Sequence, residues 1–318
     1  MTPYLLRRCL LAGATVVAAT FLTFLLLRLA PGEPAQTILA RIFLRDLTAT
    51  VSAGDAAALA ERYGLSAPLL VQYGRWLAAA LGGDLGVSIR SGRPVLTELG
   101  WRLPVTLLLA LLAMALALVL TLALVTARRM LRRPLADRGF ALIVTACVSL
   151  PGFVLGLVMI LVFSLSLDWL PVSGTGGWSH WVLPVIVLAL GQLGFTAVLL
   201  DDALEEALAA AHIVSARARG LSERCLLLVH ALPNALVPLV PYLALQFAFL
   251  VGGVVVVERL FALPGLGSYL AEALDARDGP AFLGAVAVVA LAVALANLAA
   301  DLLVAALDPR IRLARSEA

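Results

Sequence analysis

No lysine occurs in this chain of 318 residues; all 23 basic residues are arginine. That absence excludes a P-loop within the chain, because the lysine that reaches the nucleotide phosphates is missing. It also excludes Schiff-base and lysine general-base chemistry. Charge of either sign is scarce, at 14% of residues, against 62% hydrophobic residues and a mean hydropathy of +1.03. Soluble domains carry about a quarter charged residues, so the composition is that of an integral membrane protein. Cysteine is nearly absent: Cys9, Cys147 and Cys225 lie in or beside apolar segments, without metal-ligand spacing. They read as small buried hydrophobes, with no disulfide framework implied. The three histidines, His180, His212 and His230, have no ligand spacing, so no metal site is expected. Neither Gly-x-Ser-x-Gly nor His-Glu-x-x-His occurs, which leaves a membrane hydrolase without visible support. The net charge of +3 gives no reason to expect nucleic acid.

What is present is a series of apolar runs, uncharged except for Asp301 in the last. Residues 9–27, 103–127, 139–167, 181–200, 233–257 and 281–306 are each long enough to cross a hydrocarbon core of about 30 Å. The first follows Arg7 and Arg8 and precedes Pro31-Gly32-Glu33-Pro34 rather than a small-residue cleavage site, which favours an uncleaved helix over a signal peptide. Pro151-Gly152 predicts a kink or break inside 139–167. Trp169, Trp178 and Trp181 suit a membrane interface.

Between the first two runs lies a different material. Residues 33–102 hold seven arginines and six acids, with short amphipathic helices expected at 56–63 and 69–81. This segment reads as a small extramembrane insert that packs on the membrane part or a partner. Arginine placement sets the topology. With the N-terminus inside, the inner segments hold 13 arginines and the short outer loops two, Arg259 and Arg277. Both termini are then cytoplasmic and the insert is extracytoplasmic.

The polar stretch 201–232 stands out between greasy neighbours. Ile213 to Ala218 reads as a short helix with a Gly220 stop, and a second helix starts at Ser222-Glu223. Such a helix could fit a cleft on a partner, or be a solvated loop carrying arginine for topology. Three further polar residues sit near or in the later runs. Glu258 belongs to an outer gate, docks a partner, or caps a helix. Asn297 and Asp301, four apart on one helix, line a pore or make a helix-to-helix contact.

The residues themselves resemble a known family. Gly220, His230 and Leu232-Pro233 resemble the EAA-type loop of ABC importer permeases. ARARGLSERCLLLVHALPNAL is closer still to its version in the dipeptide/oligopeptide/nickel permeases. Gly252-Gly253-Val254-Val255-Val256-Val257-Glu258, Pro264-Gly265-Leu266-Gly267 and Asp308-Pro309-Arg310-Ile311-Arg312 are similar to that family's later segments. Tyr63-Gly64-Leu65, Arg75-Trp76-Leu77, Gly83-Asp84-Leu85-Gly86 and Arg102-Leu103-Pro104 resemble the insert of its B-type subunit. Val214 departs from the general motif's Glu, and Ala211-His212 from the family's Asp-aromatic pair.

The resemblance implies an all-α, six-helix permease with the type I ABC importer fold in a prokaryotic inner membrane. The expected divisions are an N-terminal helix at 1–32, the insert at 33–102, a permease core at 103–312 holding the coupling loop 201–232, and a tail at 313–318. The coupling loop would comprise Ile213, Ser215, Ala216, Arg217, Ala218, Gly220, Leu221, Ser222, His230 and Pro233. Arg217 is expected to make polar contact and Gly220 the turn. The implied partners are a homologous second permease, two ATP-binding subunits and an extracytoplasmic binding protein. ATP and Mg would be bound by those subunits and no cofactor by this non-catalytic chain. Di- or oligopeptides are the expected cargo, with nickel or a metallophore as the alternative. A self-contained secondary transporter or channel is the contrasting reading, and it would call for more ionisable groups at membrane depth than Asp301.

Overall fold

The computed structural model describes residues 2–29, 67–131 and 133–307. The expected helix at 56–63 and the tail at 313–318 lie outside them. In chain order the helices are α1 (Thr2–Leu29), α2 (Leu69–Leu81), α3 (Val95–Leu131), α4 (Pro134–Ser149), α5 (Gly152–Ser166) and α6 (Ser179–Ala209). There follow α7 (Ala211–Ala218), α8 (Glu223–Leu236), α9 (Leu239–Gly253), α10 (Val255–Leu260), α11 (Leu266–Asp275) and α12 (Gly279–Leu307). Among the described residues the only β feature is an isolated bridge between Val87 and Pro94.

Four helices, α1, α3, α6 and α12, contain stretches long and apolar enough to cross a membrane, and two bent pairs could supply two more crossings. The expected run 139–167 is one bent pair: α4 and α5 meet at 105°. The cause is local. Leu150 is extended, at φ −87° and ψ 121°, as a residue before proline prefers, and Pro151 opens α5. The second pair, α8 and α9, bends by 55° before Pro238. Within α8, Leu226–Ala231 is wound as a π-helix just ahead of Pro233. A proline lacks the N–H for an i−4 bond and crowds that carbonyl, so widening the preceding turn accommodates it.

The chain forms two compact units. The first comprises 1–105 and 264–294. There α2 packs on α1 through Tyr73, whose hydroxyl donates to the Val17 carbonyl at 3.0 Å and lies 2.9 Å from Thr20 Oγ1. Phe21 meets the Tyr73 ring edge-on, with centroids 5.1 Å apart. A second cluster joins Leu85, Val95 and Leu99 to Leu266, Tyr269 and Ala281. Gly284 permits that closeness: a Cβ there would lie 2.7 Å from Val95 Cγ1 and 3.4 Å from Leu85 Cβ.

The second unit comprises 106–263 and 295–318. Its centre is α6, whose apolar window is 50% buried against 11% for α1. Ala197, Leu200 and Leu204 of α6 pack against Leu227, Ala231 and Ala235 of α8. Gly194 lets α4 approach closely, since a Cβ would meet the Val144 carbonyl at 3.2 Å. Small residues at helix crossings serve membrane helices, which gain little from hydrophobic association in lipid. Many large apolar side chains, Leu111, Val119, Leu161 and Phe249 among them, stay exposed in this chain. Trp169 and Trp178 are exposed too, as interface residues would be.

Candidate functional site

Three consecutive backbone events build the site. Helix α6 does not stop at Leu200; Asp201 to Ala209, the start of the expected loop, continues it. Ala210 then turns extended, at φ −62° and ψ 141°, and α7 begins at once. At the far end Arg219 has φ −82° and ψ 2°, and Gly220 takes φ +89°. That left-handed conformation costs an L side chain ~1–2 kcal/mol, which is why glycine suits the position. The turn is closed by Gly220 N–H donating to Arg217 O at 3.0 Å and Leu221 N–H to Ala216 O at 3.3 Å. Ser222 then caps α8: its carbonyl accepts from Leu226 N–H at 3.0 Å and its Oγ faces Cys225 N at 3.4 Å.

The helix α7 is two-faced. Ile213 and Ala216 are buried against Leu226, with Leu208, Ala210 and Leu221 around them. His212, Val214, Ser215, Arg217 and Ala218 are exposed. The elbow between α7 and α8 is clamped by Arg217, whose Nε donates to Glu223 Oε1 at 2.7 Å and Nη2 to Oε2 at 3.4 Å. Both side chains are about 40% exposed (42% and 41%), so the pair contributes at most ~1 kcal/mol. Its effect is geometric: it fixes the angle at which α7 is presented.

The expected loop residues therefore divide. Ile213, Ala216 and Leu221 anchor α7 to the body and Ser222 caps α8, whereas Ser215, Arg217, Ala218 and Gly220 are exposed around it. His230 and Pro233 sit along α8, where the His230 carbonyl accepts from Asn234 Nδ2 at 2.7 Å. Glu258 lies apart from this elbow. It is fully buried, and one carboxylate oxygen accepts from Thr106 Oγ1 of α3 at 2.5 Å. Asn297 is exposed and Asp301 half-buried, both on α12. Among the described residues, no group of three His, Cys, Asp or Glu side chains is placed to hold a metal ion.

Sequence reasoning missed the polar cluster beside the elbow. Arg128 and Arg129, read as topology charges, converge on Asp201 of α6. Arg129 Nε donates to Asp201 Oδ1 at 2.7 Å, and its Nη2 donates to Asp201 O at 2.9 Å and Glu205 Oε2 at 3.2 Å. Arg128 Nη1 pairs with Asp201 Oδ2, and its Nε with Asp137 Oδ1 at 2.8 Å. The Arg128 guanidinium also stands 4.4 Å over the Phe140 ring. A cavity of about 530 Å³ borders Arg128, Arg129, Glu223 and Arg224. The ends of α3 and α4 are thus tied to α6 within a short distance of α7. A doubled arginine before an apolar helix was the available signal, but its partner lies 72 residues away.

Known proteins are similar to this chain in sequence. The profile of the family described as binding-protein-dependent transport system inner membrane component matches residues 119–313. The glutathione transport system permease protein GsiC of Salmonella paratyphi A is 36% identical over 313 residues, covering 98% of this chain and 99% of that one. Its counterpart in Escherichia coli strain K12 is 33% identical over 312 residues, covering 98% and 99%. The apolar helices, the α7 elbow and these relatives converge: the chain belongs to the binding-protein-dependent inner membrane components, as a multi-pass, non-catalytic permease subunit of an ABC importer of the dipeptide/oligopeptide family, with a type I fold.

Proposed function

We propose that this chain forms half of the pathway by which an ATP-driven importer takes up a peptide-type solute, with a homologous permease as the other half. Two ATP-binding subunits hold the ATP and Mg, and a binding protein delivers the solute from outside. The relatives' names point to glutathione as one solute of this class. In this reading both termini and α7 are cytoplasmic, and the insert of 33–102 and the loop of 258–280 are extracytoplasmic.

The observation that carries the proposal is the elbow. A short helix pinned by one face, Ile213 and Ala216, leaves the opposite face free, and a clamp sets its angle. Motion of an ATP-binding subunit seated on α7 passes as a rigid-body displacement into α6 and α8, the helices packed at the centre of the second unit.

The test is ATP-dependent uptake in proteoliposomes by complexes carrying Gly220→Val or Gly220→Asn. A Cβ at Gly220 would meet nothing within 4 Å, so only the backbone is strained. Valine resists φ +89° and asparagine tolerates it. Uptake should fall at least tenfold with valine while the chain still inserts and ATP hydrolysis persists, and recover largely with asparagine. Wild-type uptake with valine would refute the coupling role of this turn.

A further inference from the structure

The arginines at the α3–α4 turn split into two sets. Residues 128–138 hold five arginines and one acid, Asp137. Arg128 and Arg129 turn inward, onto Asp137, Asp201 and Glu205. That pairing commits the turn's own acid, since Arg128 Nε donates to Asp137 Oδ1 at 2.8 Å. Arg133, the residue before α4, and Arg138, in its second turn, are exposed. Among the described residues neither of them makes an ion pair. The cations left over therefore lie on the face of the turn that points away from the protein.

Arg138 lies in an apolar stripe. Leu135, Arg138 and Leu142 are three and four residues apart, so they share one face of α4. Leu135 and Leu142 are 79% and 72% exposed, and Leu131 at the end of α3 is 56% exposed. The packed face is the opposite one. Phe140 and Val144, each two residues further on and so about 200° round the helix, rest on the α6–α8 cluster. An exposed stripe of leucine and arginine without an acid suits an amphiphile: the leucines meet hydrocarbon and the guanidinium its charged end. Depth agrees with this. The apolar run 103–127 ends directly before Arg128, and the run 139–167 begins directly after Arg138. The headgroup layer adds about 5–8 Å beyond the hydrocarbon core on each side. Arg138 thus falls at the level of lipid phosphates, with Arg133 less than two helical turns from it.

We propose that the α3–α4 turn binds the headgroup of an anionic phospholipid, with Arg133 and Arg138 on the phosphate and Leu135 and Leu142 against the acyl chains. The planar fork of arginine matches phosphate oxygens. A zwitterionic headgroup brings its own cation and offers no net charge. Membrane residence alone supports the site; only its assignment to the inner leaflet rests on the importer topology. The same turn is tied to α6 through Asp201, so a bound lipid braces the ends of α3 and α4 where they meet that helix.

The test is native mass spectrometry of the assembled complex in detergent, titrated with phosphatidylglycerol or with phosphatidylcholine of the same acyl chains. An arginine near an anionic surface is worth about a fivefold gain in affinity. Wild type should bind its first phosphatidylglycerol at least tenfold more tightly than phosphatidylcholine. Arg133→Gln and Arg138→Gln should each weaken phosphatidylglycerol about fivefold, and the double variant should bind both lipids alike. Arg75→Gln combined with Arg93→Gln, which removes the same charge from the first unit, should keep the preference. Leu135→Ser should weaken both lipids, a loss that capture of a free phosphate would not show, and excess sn-glycerol 3-phosphate should leave the lipid in place. No preference in the wild type, a preference that survives in the Arg133→Gln/Arg138→Gln variant, or displacement by sn-glycerol 3-phosphate would overturn the proposal. So would loss of the ATP-binding or second permease subunits from that double variant with its lipid preference intact, because the two arginines would then serve a protein contact. Failure of ATP-dependent uptake by the wild-type complex would sink the importer reading and leave the lipid result standing.

Discussion

Asp201→Asn isolates the polar cluster beside the elbow. The substitution keeps the shape, but replaces one acceptor oxygen by an NH₂ group. In the native protein Asp201 Oδ1 accepts from Arg129 and Oδ2 from Arg128. Whichever way the amide turns, a donor then faces a donor. The Asp201 side chain is 10% exposed, and those of Arg128 and Arg129 are 25% and 21% exposed. Breaking a fully buried pair on one side costs ~3–5 kcal/mol, whereas surface pairs are worth at most ~1. Arg128 keeps Asp137 and Arg129 keeps Glu205, so the loss falls between these limits, at about 2 kcal/mol. On the scale of medium-sized proteins that lowers Tm by about 4–8 °C. The assay is the apparent Tm of the purified permease in nanodiscs for Asp201→Asn, Arg129→Gln and the double variant. The double variant should lose clearly less than the two singles summed, because the pair is already broken. A Tm within about 1 °C of wild type for Asp201→Asn, or strict additivity in the cycle, would refute the reasoning.

Two other predictions follow from the first unit. Gly284→Ala places a methyl 2.7 Å from Val95 Cγ1, on a β-branched side chain with no exposure, and should destabilise by ~1–3 kcal/mol. Val95→Ala added to it should recover part of the lost Tm, and a single variant as stable as wild type would show that the helices yield. Tyr269 should ionise about two units above an ordinary phenol near 10. An acid raised in the folded state binds its proton where the unfolded chain has lost it. Its contribution is therefore complete below about pH 10 and is lost as pH rises toward 12. The 295 nm absorbance of wild type minus Tyr269→Phe checks this, and a difference titrating at 10 would refute it.

Local chemistry made parts of this protein readable in advance. Helix α2 ends where the sequence places it, since Pro68 and Gly82-Gly83 bound one amphipathic stretch. The break at Pro151 follows from one missing N–H and one crowded neighbour. The α7 helix, its Gly220 stop and the Ser222 start are each set by residues within a turn of each other. Where the sequence under-read the chain was in continuity. Nothing between Leu200 and Asp201 stops a helix, because a charge does not end one when it meets a partner.

The long apolar runs determined by themselves a helical membrane protein and a short polar helix with a glycine stop, while the family entered through the resemblance of its motif residues. These depend on solvent transfer and on backbone geometry, which act over a few residues. Tertiary structure alone decided that Asp201 joins Arg128 and Arg129 and that Glu258 is buried on Thr106. Each of the two carboxylates finds its partner 72 or more residues away in sequence. A carboxylate carries no mark of which cation or hydroxyl it will meet. Only the packing of the helices brings those groups within hydrogen-bond distance and removes the water that would otherwise satisfy them.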